Sequence, residues 1–169
     1  MKKVVAFLFV VMAALSAKAQ IYAGGSLGFW GSDDNNTFLI APEVGYNLNS
    51  KWSFGGMLLF EHAKVSNTKV TGFALAPYAR YTFFESKIVD IFIDGGIGFS
   101  TTHVENADDN QNGFEFGFRP GLEIKATKHL SFLTKFGFLG YRDDYLNYQN
   151  GGGFSFSGDN LSFGLYYTF

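Results

Sequence analysis

Leu161-Ser162-Phe163-Gly164-Leu165-Tyr166-Tyr167-Thr168-Phe169 places a bulky apolar residue at every odd position, with Ser, Gly, Tyr and Thr between them. A period of two sustained over such a stretch predicts a β-strand with one apolar face. The stretch closes the sequence on an aromatic residue, where the last residues of a domain ordinarily fray. A closed barrel instead needs its last strand to pair with its first, so that neither edge is left open.

Working back from that stretch, seven further segments alternate in the same way. Ile21 to Trp30, Thr37 to Leu48, Trp52 to Ala63, a fourth ending near Phe83, and a fifth carrying Ile91, Ile93, Ile97 and Phe99 set large apolar residues against Gly, Ala, Ser and charged residues. The sixth is the most regular, with Phe114, Phe116, Phe118, Leu122 and Ile124 opposing Glu115, Gly117, Arg119, Gly121 and Glu123. The seventh, from Leu130, is read with Phe132, Phe136 and Phe138 on one face and Ser131, Lys135, Gly137 and Tyr141 on the other. Each is long enough for a tilted strand to cross a bilayer, which takes about 9–11 residues. Pro42, Pro77 and Pro120 fall inside these strands, where a missing N–H must interrupt a ladder. Phe154 and Phe156 are out of phase with Leu161 and Phe163, so a bulge or separate turn is expected at Gly158-Asp159-Asn160.

Asn49-Ser50, Glu85-Ser86-Lys87 and Ala126-Thr127-Lys128-His129 read as tight turns, whereas Gly31 to Asn36, Lys64 to Lys69, His103 to Gly113 and Asp143 to Gly153 read as longer polar loops. Alternating short and long connections are expected of an outer-membrane barrel, with short turns in the periplasm and longer loops outside. Tyr46, Trp52, Tyr81, Phe83, Tyr167 and Phe169 gather at the short-turn end as an aromatic girdle. The predicted fold class is all-β: a closed, antiparallel, eight-stranded, up-and-down transmembrane β-barrel.

Lys2 and Lys3 precede the apolar run Val4 to Leu15, and Ala17-Lys18-Ala19 offers the small residues that a signal peptidase accepts. Residues 1–19 are expected to be a cleaved signal peptide and 20–169 the outer-membrane barrel, with Gln20 first in the mature protein. The apolar run is well short of the roughly 20 residues a membrane helix needs. The chain has no cysteine, so neither a lipid anchor in the signal nor a disulfide framework is available. With 21 Gly and 21 Phe against 3 Pro, composition favours strands, and a net charge of −2 offers no basic surface for nucleic acid.

The same alternation could build a soluble carrier whose apolar face lines a cavity. Volume argues against it. An eight-stranded barrel is just wide enough to be filled by side chains, so the face crowded with Phe, Ile and Leu belongs outside and the Gly, Ser and Ala face inside. That inner face carries Glu43, Glu61, Arg80, Asp94, Glu115, Arg119, Glu123 and Lys135. Arg80, Asp94, Arg119 and Lys135 are expected at similar heights on successive strands, with Glu43 and Glu123 near that level. In so narrow a lumen opposite charges should pair, because an unpaired buried charge is costly. A plug of ion pairs is favoured over a gated path for ions, with Tyr22, Trp30, Tyr78 and Tyr141 adding bulk.

Tyr22-Ala23-Gly24-Gly25-Ser26-Leu27-Gly28-Phe29, Ala76-Pro77-Tyr78-Ala79-Arg80-Tyr81 and the Leu161 to Phe169 ending resemble the small eight-stranded outer-membrane barrels of the OmpA/OmpX type, and more narrowly the porin-family outer membrane beta-barrel proteins. The resemblance implies insertion by the barrel-assembly machinery, which reads a C-terminal aromatic such as Phe169. Because the sequence ends at the barrel, no peptidoglycan-binding domain is expected.

Two outer-membrane barrel enzymes acting on lipid A, a palmitoyltransferase and a deacylase, show that such a fold can host acyl chemistry. His129-x-Ser131 with Asp143 superficially resembles the deacylase's His-x-Ser and acidic partner. On one continuous strand, however, Asp143 would lie roughly 40 Å from Ser131 at about 3.3 Å per residue. No catalytic residue or cofactor is therefore expected, and His62 and His103 read as interfacial. Asp108-Asp109-Asn110-Gln111-Asn112-Gly113 matches the opening of a calcium loop, yet Arg119 stands where the closing bidentate Glu is required, so no metal ligand is assigned. What remains is a monomeric, lipid-embedded structural body. Its outer loops, rich in Asp, Asn, Gly and Tyr, suit contacts with an extracellular ligand; a narrow pore ranks second and a lipid-modifying enzyme third.

Overall fold

A computed structural model describes residues 20–31, 35–65, 68–105, 109–146, 150–156 and 162–169. The segment read as a signal peptide, Leu161 and the expected bulge at Gly158-Asp159-Asn160 lie outside the described residues. Ten strand segments follow in chain order: β1 (Gln20–Gly31), β2 (Asn35–Asn47), β3 (Trp52–Val65), β4 (Thr68–Glu85), β5 (Val89–Val104), β6 (Gln111–Lys125), β7 (Leu130–Lys135), β8 (Phe138–Asp143), β9 (Gly151–Ser155) and β10 (Ser162–Thr168). β6 pairs with β7 and then β8 along its length, β8 pairs with β9, and β7 pairs with β10. β7 with β8, and β9 with β10, are thus single staves interrupted once each. The ten segments make eight antiparallel staves, closed between β1 and β10 from Tyr22↔Thr168 to Ser26↔Gly164.

Large apolar residues point outward around the whole wall, among them Phe38, Phe60, Phe99, Phe118, Phe132 and Phe163, while charged residues point in and are buried. A soluble protein avoids an apolar surface that runs continuously around it, whereas a bilayer demands one. The short turns are held by their own side chains. Asn49 Oδ1 accepts from the Lys51 and Trp52 N–H groups at 2.9 Å each, and Thr127 Oγ1 accepts from the Leu130 N–H at 3.0 Å. Above them Trp52 packs on Tyr81 and Tyr167 on Phe169, with ring centroids 4.9 and 5.1 Å apart, forming the girdle.

The prolines coincide with three of the irregularities; a further register shift lies between Thr82 and Phe84 of β4. All three lie within strands and away from the lumen, and the ladders skip Ala41 and Pro42 between β2 and β3, and Ala76 and Pro77 between β4 and β5. Pro120 faces the interruption of the seventh stave. Gly121 pairs with Lys135, yet Phe118 pairs with Leu139, so two residues of β6 oppose three of the partner. This is a β-bulge, with Gly137 at φ +73° and the Phe136 N–H donating to the Pro120 carbonyl at 3.0 Å. The extra residue reverses the phase beyond it. Phe138 is 5% exposed and faces the lumen, whereas Tyr141 is 40% exposed and faces out, opposite to the expectation from unbroken alternation.

The expected long loops are also partly strand. β3 and β4 continue to Val65↔Thr68, Gly31 pairs with Asn36, Gln111 to Gly113 already belong to β6, and β9 begins at Gly151. Backbone pairing needs no apolar face once the strand leaves the membrane, so polar hairpins extend the ladders at this end. The asymmetry of the two ends lies in strand extension more than in loop length.

Candidate functional site

The inner half of the lumen is built by β2, β4, β5 and β7, each contributing one charged residue at an inward position. Arg80 and Asp94 are direct cross-strand partners, and their side chains meet in a bidentate pair, Nε to Oδ1 at 2.7 Å and Nη2 to Oδ2 at 2.9 Å. Lys135 Nζ bridges Glu43 Oε2 at 2.9 Å and Asp94 Oδ2 at 3.1 Å, and Arg80 Nη2 reaches Glu43 Oε1 at 3.4 Å. Two acids and two bases thus close a neutral ring. The exposures of Glu43, Arg80, Asp94 and Lys135 are 2, 5, 5 and 6%, so desolvation must be offset by contacts inside the lumen, these ion pairs first.

Aromatic residues complete this level. The Tyr166 hydroxyl donates to Glu43 Oε2 at 2.7 Å, the Tyr78 hydroxyl donates to Glu43 Oε1, and Tyr22 bonds Tyr78. The Arg80 guanidinium lies 4.0 Å from the centroid of the Phe92 ring. Each of these rings covers a glycine of the neighbouring strand in register: Tyr22 over Gly45, Tyr78 over Gly55, Phe92 over Gly121 and Tyr166 over Gly24. A Cβ at Gly45 would come within 2.2 Å of the Tyr22 ring, and one at Gly121 within 2.3 Å of Phe92. The glycine richness of the inner face is the space these rings occupy.

The outer half is organised around Glu115. Arg119 Nη2 donates to its Oε1 at 2.6 Å and Arg142 Nε to its Oε2 at 3.1 Å, and both guanidinium groups lie over the Phe138 ring, at 4.9 and 3.8 Å. Beyond this network the chain turns inward after β8. Tyr145 is 1% exposed and packs with Leu146 against Ala41, Leu59, Ala74 and Ala76. Asp144 and Leu146 adopt positive φ, 49° and 52°, to make the inward turn. The Leu146 N–H donates to Ser100 Oγ at 3.1 Å, and Asp144 and Asn150 bracket the segment with bonds of 2.8 and 2.7 Å. Gly98 leaves the room: a Cβ there would stand 2.7 Å from the Tyr145 ring.

A polar vestibule of about 670 Å³ opens at the short-turn end and ends at Arg80, Tyr22 and Tyr166. A pocket of about 70 Å³ separates the inner ring from Tyr145 and is lined by Glu43, Lys135, Arg119 and Arg142. Of the residues singled out in the sequence, Glu43, Arg80, Asp94 and Lys135 come together. Arg119 does not join them: although Asp94 is its cross-strand partner, it turns to Glu115, four residues back along its own strand. Glu123 lies nearer the short turns, opposite Asp90, and lines the vestibule, where Asp90 pairs with Lys125 at 2.7 Å. Glu61 is buried in the outer half, opposite Leu39 and Gly72. Phe169 is exposed on the outer face, its N–H donating to the Ile21 carbonyl at 2.9 Å.

Tyr22 and Tyr78 fill the lumen as expected, Tyr141 does not, and the Trp30 side chain lies outside the described residues. Arg142 and Tyr145 escaped the sequence reading, and Phe138, read as outward with Phe132 and Phe136, faces the lumen instead; only the Pro120 and Gly137 pair signalled the bulge that turns Phe138 and Arg142 inward. His129 and Ser131 lie at one end of the seventh stave and Asp143 at the other, so they form no triad. Asp108 lies outside the described residues, and among the described residues no group of three or more His, Cys, Asp or Glu is placed to hold a metal ion.

Residues 4–169 match the model of a family described as the outer membrane protein beta-barrel domain. The N-terminal β-barrel domain of OprF from Pseudomonas aeruginosa is 16% identical, with 89% of this chain and 96% of that chain aligned at a TM-score of 0.59. Neisserial surface protein A is likewise 16% identical, over 89% of this chain and 97% of that one, TM-score 0.59. The Yersinia pestis outer membrane protein Ail in a bilayer nanodisc is 11% identical, over 90% and 100%, TM-score 0.56. At these identities the likeness is one of fold. No curated protein matches the sequence.

Proposed function

We propose that this chain, which belongs to the outer membrane protein beta-barrel domain family, is a closed barrel that acts through its body and outer surface and passes no solute. The observation that carries this reading is the double filling of the lumen. The neutral ring of Glu43, Arg80, Asp94 and Lys135, walled by Tyr22, Tyr78, Phe92 and Tyr166, closes the inner half, and Tyr145 with Leu146 closes the outer. Eight staves leave little bore to begin with. The charged groups of the inner ring and of the Glu115 network are paired with one another, and the proposed role is surface contact; the fold is shared with a neisserial surface protein.

Residues 1–19 are taken as a cleaved export signal, 20–169 as a monomeric barrel in lipid, and Phe169 as the aromatic presented to the assembly machinery. Purified barrel reconstituted in planar bilayers is the test. Absence of steady conductance is expected, and reproducible channels whose ion selectivity changes in Arg80→Met would replace this reading with a pore.

A further inference from the structure

We infer that the outer face of β3, β4 and β5 binds a phosphorylated lipid of the outer leaflet, with Lys64 and Lys69 holding its phosphate; the inference rests on the barrel lying in the outer membrane with its extended hairpins outward. Lys64 and Lys69 are directly opposite one another in the register, both outward and exposed. Like charges placed so are mutually destabilising unless an anion sits between or beside them. Glu105 supplies part of this, 3.5 Å from Lys69 Nζ, but it belongs to one lysine of the two.

The rows beneath continue the pattern. Two residues down the same face, His62, Thr71 and His103 are consecutive cross-strand neighbours, all exposed. Two residues further, Phe60 and Phe73 are partners with ring centroids 5.0 Å apart, and Leu58, Leu75 and Phe99 follow. From the lysine row to the phenylalanine row is roughly 14 Å, four residues at about 3.4 Å each. Cations, then hydroxyl and imidazole, then an aromatic wall repeat the order of phosphate, polar headgroup and acyl chain in a lipid leaflet. Beyond this face the described charges are of the other sign, Asp109 at its β5 edge and Asp143 and Asp144 after it at β8, so the cationic row is confined to β3 and β4.

The test is native mass spectrometry of the refolded full barrel in detergent, titrated with bisphosphorylated lipid A. One lipid should be retained per barrel. Each lysine near a lipid phosphate is worth about fivefold, so Lys64→Gln with Lys69→Gln should weaken retention roughly 30-fold, while Lys128→Gln at the short-turn end leaves it unchanged. Glu105→Gln removes the competing carboxylate and should tighten retention about fivefold, a gain no merely structural role of Glu105 would produce. Dephosphorylated lipid A should bind like the double variant. Equal retention by wild type and double variant, or displacement of the lipid by millimolar inorganic phosphate, would overturn the assignment. Heat-modifiable migration of each variant verifies its fold, and the readout is independent of conductance, so this proposal and the closed-lumen reading fail separately.

Discussion

In the inner half of the lumen the four residues of the ring, Glu43, Arg80, Asp94 and Lys135, sit where unbroken alternation puts them, whereas in the outer half Phe138 and Arg142 face the axis because Gly137 adds one residue to the seventh stave. The inner ring is neutral, bidentate at Arg80 and Asp94, and walled by rings over glycines. The outer filling hangs on one bulge, one carboxylate and a segment held inward by backbone torsion. The comparison teaches that a strand's period of two is a strong rule locally and a fragile one globally. One added residue exchanges lumen and lipid faces for everything between it and the next turn.

Gly137→Val should therefore have the largest effect of any single change. It denies the bulge its φ of +73°, and with every residue kept strict alternation then turns Arg142 toward lipid, at up to about 2–4 kcal/mol depending on depth, and strips Glu115 of a partner. The variant should fail to reach the compact heat-modifiable form on gels. A variant that folds with unchanged stability would refute the phase reversal.

Next in size, Arg80→Met leaves Asp94 and Glu43 facing each other with one cation, and should cost about 3–5 kcal/mol in urea unfolding from micelles. Adding Asp94→Leu to it should recover much of the loss, since removing both partners of a buried pair is often close to neutral. If the double variant is as unstable as the single, the pair is not what holds this level together.

Glycines sharpen the comparison at smaller scale. Gly98→Ala sets a Cβ 2.7 Å from the Tyr145 ring, and should cost about 1–3 kcal/mol or release that ring, read as increased Tyr145 accessibility by oxidative footprinting. Gly56→Ala on the lipid face meets nothing within 4 Å and should stay within about 0.5 kcal/mol of wild type. Equal effects at the two sites would mean that Tyr145 does not occupy the lumen.

The smallest effect is electrostatic. The Asn150 amide, with Gln111 behind it, holds the Asp144 carboxyl below its ordinary value. A depressed carboxyl stabilises the folded turn above the ordinary carboxylate range, and that contribution is lost as pH falls through the folded value. Asn150→Ala should move the Asp144 titration upward toward the ordinary carboxyl value, followed by carboxyl NMR. An unmoved titration would remove the Asn150 bracket from the account of the inward turn.

Much of this was legible in the residues. Phe114 to Ile124 against Glu115 to Glu123 states both faces of β6, and the pairing of Arg80 with Asp94 follows once neighbouring strands are in register. Illegible was the choice Arg119 makes: Asp94 and Glu115 are both within its reach, and the bidentate claim of Arg80 on Asp94 settles it. Pro120 and Gly137 were visible separately, but a proline marks a possible interruption without saying which partner strand absorbs it.

By itself the sequence determined the closed barrel, the lipid-facing and lumen-facing sides of six staves, and the need for buried charges to find partners. These follow from alternation, strand length and volume, which are properties of each segment alone. Only the tertiary structure decided which charges meet, where the phase slips, and that Tyr145 turns inward. Those depend on shear between strands and on the space left by glycines across the lumen, quantities that exist only when the staves stand side by side.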